Sequence, residues 1–299
     1  MKIFSGNSNK KLASKIASKL ELELSPVEIF VFPDGEKRIR IQEKVLDEDC
    51  VVIQSASIPP DENYMELFIM IDALKRSGAK SVKAIIPYLG YQRQDHVFRE
   101  GEAVSLEVIA EILKAVGMTE AYSFDLHSPK IPDVFSVPLH HLSALPLFAE
   151  RIKKDFNLDE IVLVSPDMGG IRRIKQISEM LGNIPFATVT KNRDLASGEI
   201  NDSDLDGDVR DKTAIIVDDM ISTGKTMVEA AEMLIENGAV KVFVFATHPV
   251  LARDSAKLLQ HSRIERIFAT DTIDVPSYSL FPKLEIISIA DLAAEALKS

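Results

Sequence analysis

Tryptophan is absent from this 299-residue sequence, and cysteine occurs once, at Cys50. A single thiol excludes an intramolecular disulfide framework and any zinc site built from several cysteines, and it suits a reducing compartment. No stretch approaches the roughly 18 consecutive apolar residues of a membrane span. The first residues, Met1 to Leu20, lack an apolar core long enough for a signal peptide. A cytoplasmic protein with no membrane partner is expected. Basic residues are in deficit as well: 35 Lys and Arg against 46 Asp and Glu leave a formal net charge of −11. That excludes the extended basic surface on which non-specific nucleic-acid binding relies, so nucleic acid is not an expected partner. An acidic chain that handles phosphate esters must gather its few cations locally. A Lys or Arg just after a strand is therefore informative, and elsewhere it reads as solvated surface.

Short-period repetition is also missing, which excludes a solenoid. The composition, 46% apolar and 27% charged, is that of an ordinary globular protein. At this length one core is near its practical limit, and two domains of about 150 residues are expected. Short β-rich runs at Val51–Ile53, Val82–Ile86, Ile161–Val164, Ala214–Val217 and Val242–Ala246 alternate with amphipathic stretches. Asn63–Ser77 opens with an Asn–x–x–Glu capping pattern (Asn63, Glu66) and closes at Gly78. Ser105–Val116 sets Leu106, Ile109, Leu113 and Val116 on one face and stops at Gly117; Thr226–Glu236 sets Met227, Ala230, Ala231 and Leu234 on one face. Continuous apolar strands alternating with helices predict an α/β fold with parallel sheets covered on both faces. The segments 51–86 and 214–246 echo each other as strand, loop, helix, Gly-Ala, strand. A duplicated α/β domain is the expectation, although any two βαβ units look alike. The polar stretch Leu139–Leu147 is the candidate boundary, and Ile289–Leu297 reads as a final helix.

Open parallel sheets bind ligands beyond the carboxyl ends of their strands. After Ala214–Val217 comes Asp218-Asp219-Met220-Ile221-Ser222-Thr223-Gly224-Lys225-Thr226, and then a helix. Such a turn offers backbone N–H groups at a helix start, where the dipole favours phosphate. Ser222, Thr223 and Thr226 add hydroxyl donors, Gly224 allows close approach, and the two acids can accept from sugar hydroxyls. A capping turn with solvated acids would explain the Ser and Thr, but not two acids directly after a buried strand. A Walker loop would need glycine at position 219, which is Asp.

This stretch resembles the phosphoribosyl-diphosphate motif of the type I phosphoribosyltransferase fold. Further segments narrow the resemblance to the ribose-phosphate pyrophosphokinase (phosphoribosyl-diphosphate synthetase) family. They are Phe32-Pro33-Asp34-Gly35-Glu36, Pro87-Tyr88 through Tyr91-Gln92-Arg93-Gln94-Asp95, Asp125-Leu126-His127, Ser165-Pro166-Asp167-Met168-Gly169-Gly170 and Lys191-Asn192-Arg193. They occur in the family's order and cover nearly the whole chain. The resemblance implies two similar phosphoribosyltransferase-like domains, 1–143 on the ATP side and 144–286 on the ribose 5-phosphate side. A helix over 287–299 is expected to return to the first.

The implied reaction is pyrophosphoryl transfer from ATP to the anomeric hydroxyl of ribose 5-phosphate, with Mg²⁺ as cofactor. Phe32, Asp34, Glu36, Arg93, Gln94 and Asp95 are the implied ATP residues. In the family the FPDGE segment reaches a neighbouring subunit's adenine, which implies a homo-oligomer; by itself it reads as a turn between two strands. Arg93 and Gln94 follow a strand, where an arginine's planar fork can grip phosphate oxygens. Asp218, Asp219, Ser222, Thr223, Gly224, Lys225 and Thr226, with Arg193, are the implied ribose 5-phosphate residues. Asp167, Gly169 and Gly170 form an implied diphosphate loop, and Arg172 and Arg173 begin the next helix. His127 and Asp167 are the implied metal residues, although imidazole is not the preferred ligand of so hard an ion; His140 and His141 read as structural. Lys191 and Arg193 are the implied catalytic residues, on a polar run from Thr190 to Asp208 that reads as a mobile lid.

The sequence departs from the family pattern where Ser222 replaces a third acid, at Lys225, and in Ser128-Pro129-Lys130, so regulation by phosphate or ADP is not carried over. Two other readings remain open at this point. A phosphoribosyltransferase would need the 218–226 loop but no second domain carrying FPDGE and YQRQD. A non-catalytic homologue would not need to retain Lys191, Arg193, His127 and Asp167.

Overall fold

The computed structural model describes the backbone of residues 1–193 and 200–298, and the side chains of these residues except 191–193 and 200–203. The chain divides into two compact units. Among the described residues, no helix is long and apolar enough to cross a membrane.

The first unit comprises residues 1–143, 272–274 and 288–299. Its strands are β1 (Lys2–Ser5), β2 (Val27–Val31), β3 (Lys37–Ile41), β4 (Asp49–Ile53), β5 (Ser81–Ile85), β6 (Glu120–Phe124) and β7 (Leu139–Leu142). Five of them form a parallel sheet in the order β1-β4-β5-β6-β7, while β2 and β3 stand apart as an antiparallel ribbon. The central strands are apolar on both faces because helices cover both. Phe4, Val52, Leu67, Met70, Ala84 and Leu113 are among the buried residues of one core cluster. Cys50 is buried in β4, and burial pushes its thiol up to about 11, which leaves it unreactive at neutral pH. The helix Ser105–Val116 ends at Gly117 as its pattern predicts. The helix of residues 60–76 departs from expectation. It starts at Pro60, with no side-chain cap, because proline at a first helical position needs no N–H partner. Asn63 bonds the Ser57 carbonyl instead, and Glu66 is drawn into the interior.

The second unit comprises residues 144–271 and 275–287. Its strands are β8 (Ile161–Ser165), β9 (Phe186–Arg193), β10 (Ile200–Asp206), β11 (Thr213–Ile221), β12 (Lys241–Pro249), β13 (Ile264–Thr270) and β14 (Leu284–Ile287). They make one sheet in the order β10-β9-β8-β11-β12-β13-β14, parallel except for the β9–β10 pair. Its five strands β8-β11-β12-β13-β14 repeat the order of the first sheet. The difference is the hairpin after the helix that follows the first strand, which joins the sheet here and stays separate in the first unit.

One expectation is corrected here. The run from Thr190 to Asp208 contains paired strands, with Thr190 opposite Asp204 and Val189 opposite Leu205. Acids at 202, 204 and 206 suit a sheet edge, where charge discourages further pairing, and so imitate a loop in sequence. The stretch Leu139–Leu147 holds β7 and the start of the helix Leu145–Asp155, and the first unit's long segment ends within it, at Ser143. The last helix spans Ala290–Lys298 and packs on the helix Lys10–Lys19 within the first unit.

Candidate active site

Strand order in the second sheet reverses between β8 and β11, since the chain leaves β8 toward β9 and returns on the other side as β11. A crevice beyond the carboxyl ends of two such strands is the usual ligand position in an open α/β sheet. The β8–β11 ladder ends at Val164 and Ile216, whereas β11 continues beside β12 to Ile221. Asp218 and Asp219 thus lie within β11, not after it as the sequence suggests, and on the β8 side their ladder has already opened.

Both acids are held by one cation. Arg173, on the helix Ile171–Met180, donates through Nη1 to Asp218 Oδ1 at 2.7 Å, and its Nη2 lies 3.6 Å from Asp219 Oδ1. The Asp219 amide also donates to Asp218 Oδ1 at 2.9 Å. Burial pushes the Asp218 carboxyl well above the usual carboxylate range; the charge of Asp219 adds to this and Arg173 opposes it. Arg172 is exposed. Sequence reasoning missed that Arg173 serves the acid pair, since nothing in two adjacent arginines distinguishes the inward one.

After Ile221 the chain turns through Ser222 and Thr223 into the helix Lys225–Glu236. Gly224 precedes the helix at φ +79°, a conformation that favours glycine, and a Cβ there would crowd Leu259 Cγ at 3.0 Å. No side chain caps this helix. Ser222 and Thr226 are half-buried, Thr223 and Lys225 are exposed, and no hydroxyl of the three is spent on the helix start. The turn therefore presents uncapped N–H groups and hydroxyl donors together, an arrangement suited to an anion.

The loop after β8 is organised by Asp167, whose Oδ1 accepts from Gly170 N at 3.2 Å, while Ser165 Oγ donates to the Asp167 carbonyl at 2.7 Å. A Cβ on Gly170 would stand 2.4 Å from Ser165 Oγ, which explains the glycine sterically. Asp167 and Gly169 are exposed at this strand end.

In the first unit, Phe32 to Glu36 form the turn of the β2–β3 ribbon. Phe32 N donates to the Glu36 carbonyl at 2.8 Å, Gly35 N to the Phe32 carbonyl at 2.9 Å, and Glu36 N to Asp34 Oδ1 at 3.1 Å. Phe32 is 38% exposed and meets Phe30 edge to face at 5.0 Å, with the Arg38 guanidinium near both rings. Arg93 is exposed beyond β5, and Gln94 N donates to the Tyr91 carbonyl at 2.9 Å. Asp95 holds His96 Nδ1 at 2.6 Å.

Gln92 is fully buried, and its Oε1 accepts from His127 N at 2.9 Å, joining the loops after β5 and β6. Sequence reasoning did not assign it a role, and a glutamine beside a predicted binding arginine carries no signal of burial. His127 is exposed. His140 Nε2 lies 2.6 Å from Glu120 Oε1 and its ring stacks on Tyr122, while His141 Nε2 accepts from Leu126 N at 3.2 Å, so both serve the fold.

His127 belongs to the first unit and Asp167 to the second. No group of three His, Cys, Asp or Glu able to hold a metal ion occurs among the described residues. Exposed carboxylates at strand ends suit Mg²⁺, which is commonly held by one or two carboxylates together with substrate phosphates and water. The side chains of Lys191 and Arg193 lie outside the described residues.

Comparison with known proteins reaches the whole chain. A family model described as the N-terminal domain of ribose phosphate pyrophosphokinase matches residues 1–117, and one described as a phosphoribosyl synthetase-associated domain matches residues 187–299. The ribose-phosphate pyrophosphokinase of Caldanaerobacter subterraneus subsp. tengcongensis is 41% identical over 298 residues, covering 99% of this chain and 93% of the relative. That of Bacillus subtilis is 38% identical with the same coverage of each. The crystal structure of phosphoribosylpyrophosphate synthetase from Mycobacterium smegmatis superposes with a TM-score of 0.94 at 34% identity, covering 99% of this chain and 97% of that one.

Proposed function

Since the chain belongs to the ribose-phosphate pyrophosphokinase family, we propose that it transfers the pyrophosphoryl group of ATP to ribose 5-phosphate, releasing AMP and 5-phosphoribosyl 1-diphosphate. The carrying observation is the end of β11, where an uncapped helix start with three hydroxyls adjoins an acid pair braced by Arg173. The 5-phosphate rests on the amides and hydroxyls of Ser222 to Thr226, with Lys225 adding charge. Asp218 and Asp219 accept hydrogen bonds from the ribose hydroxyls and so fix the anomeric oxygen in line with the β-phosphorus. A phosphoribosyltransferase would use this loop too, but similarity across both units favours the synthetase.

On the nucleotide side, Arg93 and Gln94 hold the phosphates, with Asp95 beside them. Phe32 offers a face for adenine, and Asp34 and Glu36 accept from its amine. Phe30, Val31 and Phe32 expose apolar surface at the turn end of the ribbon, which supports a homo-oligomer whose adenine site is shared between copies. Asp167 in the second unit and His127 in the first are each a residue that would ligate Mg²⁺, which when bound neutralises phosphate charge. Gly169 and Gly170 leave room for the diphosphate. Lys191 and Arg193 stabilise charge that develops on the transferring group, where little covalent work falls to the protein.

Product analysis with ATP, ribose 5-phosphate and magnesium tests the reading. AMP and phosphoribosyl diphosphate are expected in equal amounts; ADP, or no turnover, rejects it.

A further inference from the structure

The ribbon β2–β3 shares no ladder with the five-stranded sheet of its unit, so side chains must hold it in place. Along Lys37–Ile41 the period of two puts residues 37, 39 and 41 on one face and 38 and 40 on the other. Ile39 and Ile41, with Val27, pack on the core, while Arg38 and Arg40 lie outward beside Glu28. Lys37 is the exception on the inward face. It pairs with Val31 in the last rung before the Phe32–Glu36 turn, whereas Val27 and Ile41 pair at the far end of the ribbon.

Glu66 accounts for the inward lysine. It lies within the helix Pro60–Arg76, is 0% exposed and meets Lys37 Nζ at 2.8 Å through Oε2. Its remaining capacity is filled by Asn7 N at 2.6 Å, Asn7 Nδ2 at 3.0 Å and Gln54 Nε2 at 3.0 Å. Gln54 Oε1 in turn accepts from Ser8 N and Ser8 Oγ. The carboxylate is thus tied to the loops at the carboxyl ends of β1 and β4, and Lys37 carries that rigid network to the ribbon. A cavity of about 670 Å³ opens beside it, bounded by Asp34 and Glu36 of the turn and by Ser57, Pro59 and Glu62 opposite. The apolar contacts anchor the far end of the ribbon. The Lys37–Glu66 pair anchors the turn end.

We propose that Glu66 is a positioning residue for nucleotide binding, acting through Lys37 to fix the turn that carries Phe32, Asp34 and Glu36. The proposal rests on the reading of that turn as the adenine site. Lys37→Met should raise the KM for ATP about tenfold, near the scale of one hydrogen bond to a buried charge. The KM for ribose 5-phosphate and kcat should stay within about twofold, since the anchor acts on one substrate only. Glu66→Gln should show the same split, and Lys37→Arg should recover most of the ATP affinity.

An unchanged KM for ATP in folded Lys37→Met, or equal weakening of both substrates, overturns the proposal. So does failure of Lys37→Met to fold, because the pair would then support the fold and not the turn. Phe32→Ala is the control. If it raises the KM for ATP and Lys37→Met does not, the anchor is wrong and the adenine reading stands. If Phe32→Ala leaves it unchanged, the adenine reading fails and takes the anchor with it.

Discussion

Arg173 and Asp218 form a 2.7 Å hydrogen bond, and the same guanidinium stands 3.6 Å from Asp219, so one side chain sets a positive charge against the acid pair of β11. Removing it takes that positive charge away from two adjacent acids, one buried and one half-buried. Arg173→Met is expected to lose about 1.5–3 kcal/mol of stability, the range for a hydrogen bond to a charged group, because the pair is partly buried. It is also expected to weaken ribose 5-phosphate more than ATP. Denaturant unfolding and ligand titration of the folded fraction check both.

The raised pKa of Asp218 has a signed consequence for stability. An acid that binds its proton more tightly when folded contributes fully below its unfolded pKa, about 4, and loses that contribution as pH rises through the folded value. Asp218→Asn carries no such titration. Its stability relative to the parent should therefore increase as pH climbs above about 4. A difference independent of pH would show that Asp218 titrates normally.

Thr226→Val deletes one hydroxyl at the start of the helix Lys225–Glu236. Because no side chain caps that helix, thermal stability should hardly change. Ribose 5-phosphate binding should weaken by about 1.5–3 kcal/mol, the range for hydrogen bonds to charged groups, while ATP binding without the sugar stays constant. Calorimetric titration of each ligand distinguishes this from a capping role, which predicts lost stability and no selectivity.

Phe32 is 38% exposed, so Phe32→Ala should not carry the roughly 3–5 kcal/mol penalty of a buried phenylalanine. The expected result is a raised KM for ATP with near-normal unfolding and intact ribose 5-phosphate binding.

Lys191→Ala should lower kcat by about 10²–10³, as for removal of one transition-state donor, with ATP affinity little altered. Near-normal turnover would remove Lys191 from the catalytic assignment.

The α/β class, the helix Ser105–Val116 and the turn after β11 were legible because each follows from a local rule: strand–helix alternation, an apolar stripe closed by glycine, and hydroxyls before a helix. The Asn63–Glu66 pattern misled for an instructive reason. A capping box is a local competitor, and the burial of Glu66 among Asn7, Gln54 and Lys37 draws on residues distant in sequence. The hairpin after Phe186 was hidden because an edge strand carries the polarity of a loop.

Sequence alone determined the chemistry on offer: two acids, three hydroxyls and a glycine after an apolar strand, and an FPDGE turn between two others. Tertiary structure decided what those groups are held by. The strand reversal at β8 and β11 opens the ladder beside Asp218, and it is Arg173, 45 residues away in the chain, that sets a positive charge against it. The strand period turns Lys37 inward, and Glu66 is what it meets there. Local patterns specify conformation through neighbours a few residues apart. Pairing a buried charge requires a partner that only the folded chain brings within hydrogen-bond distance.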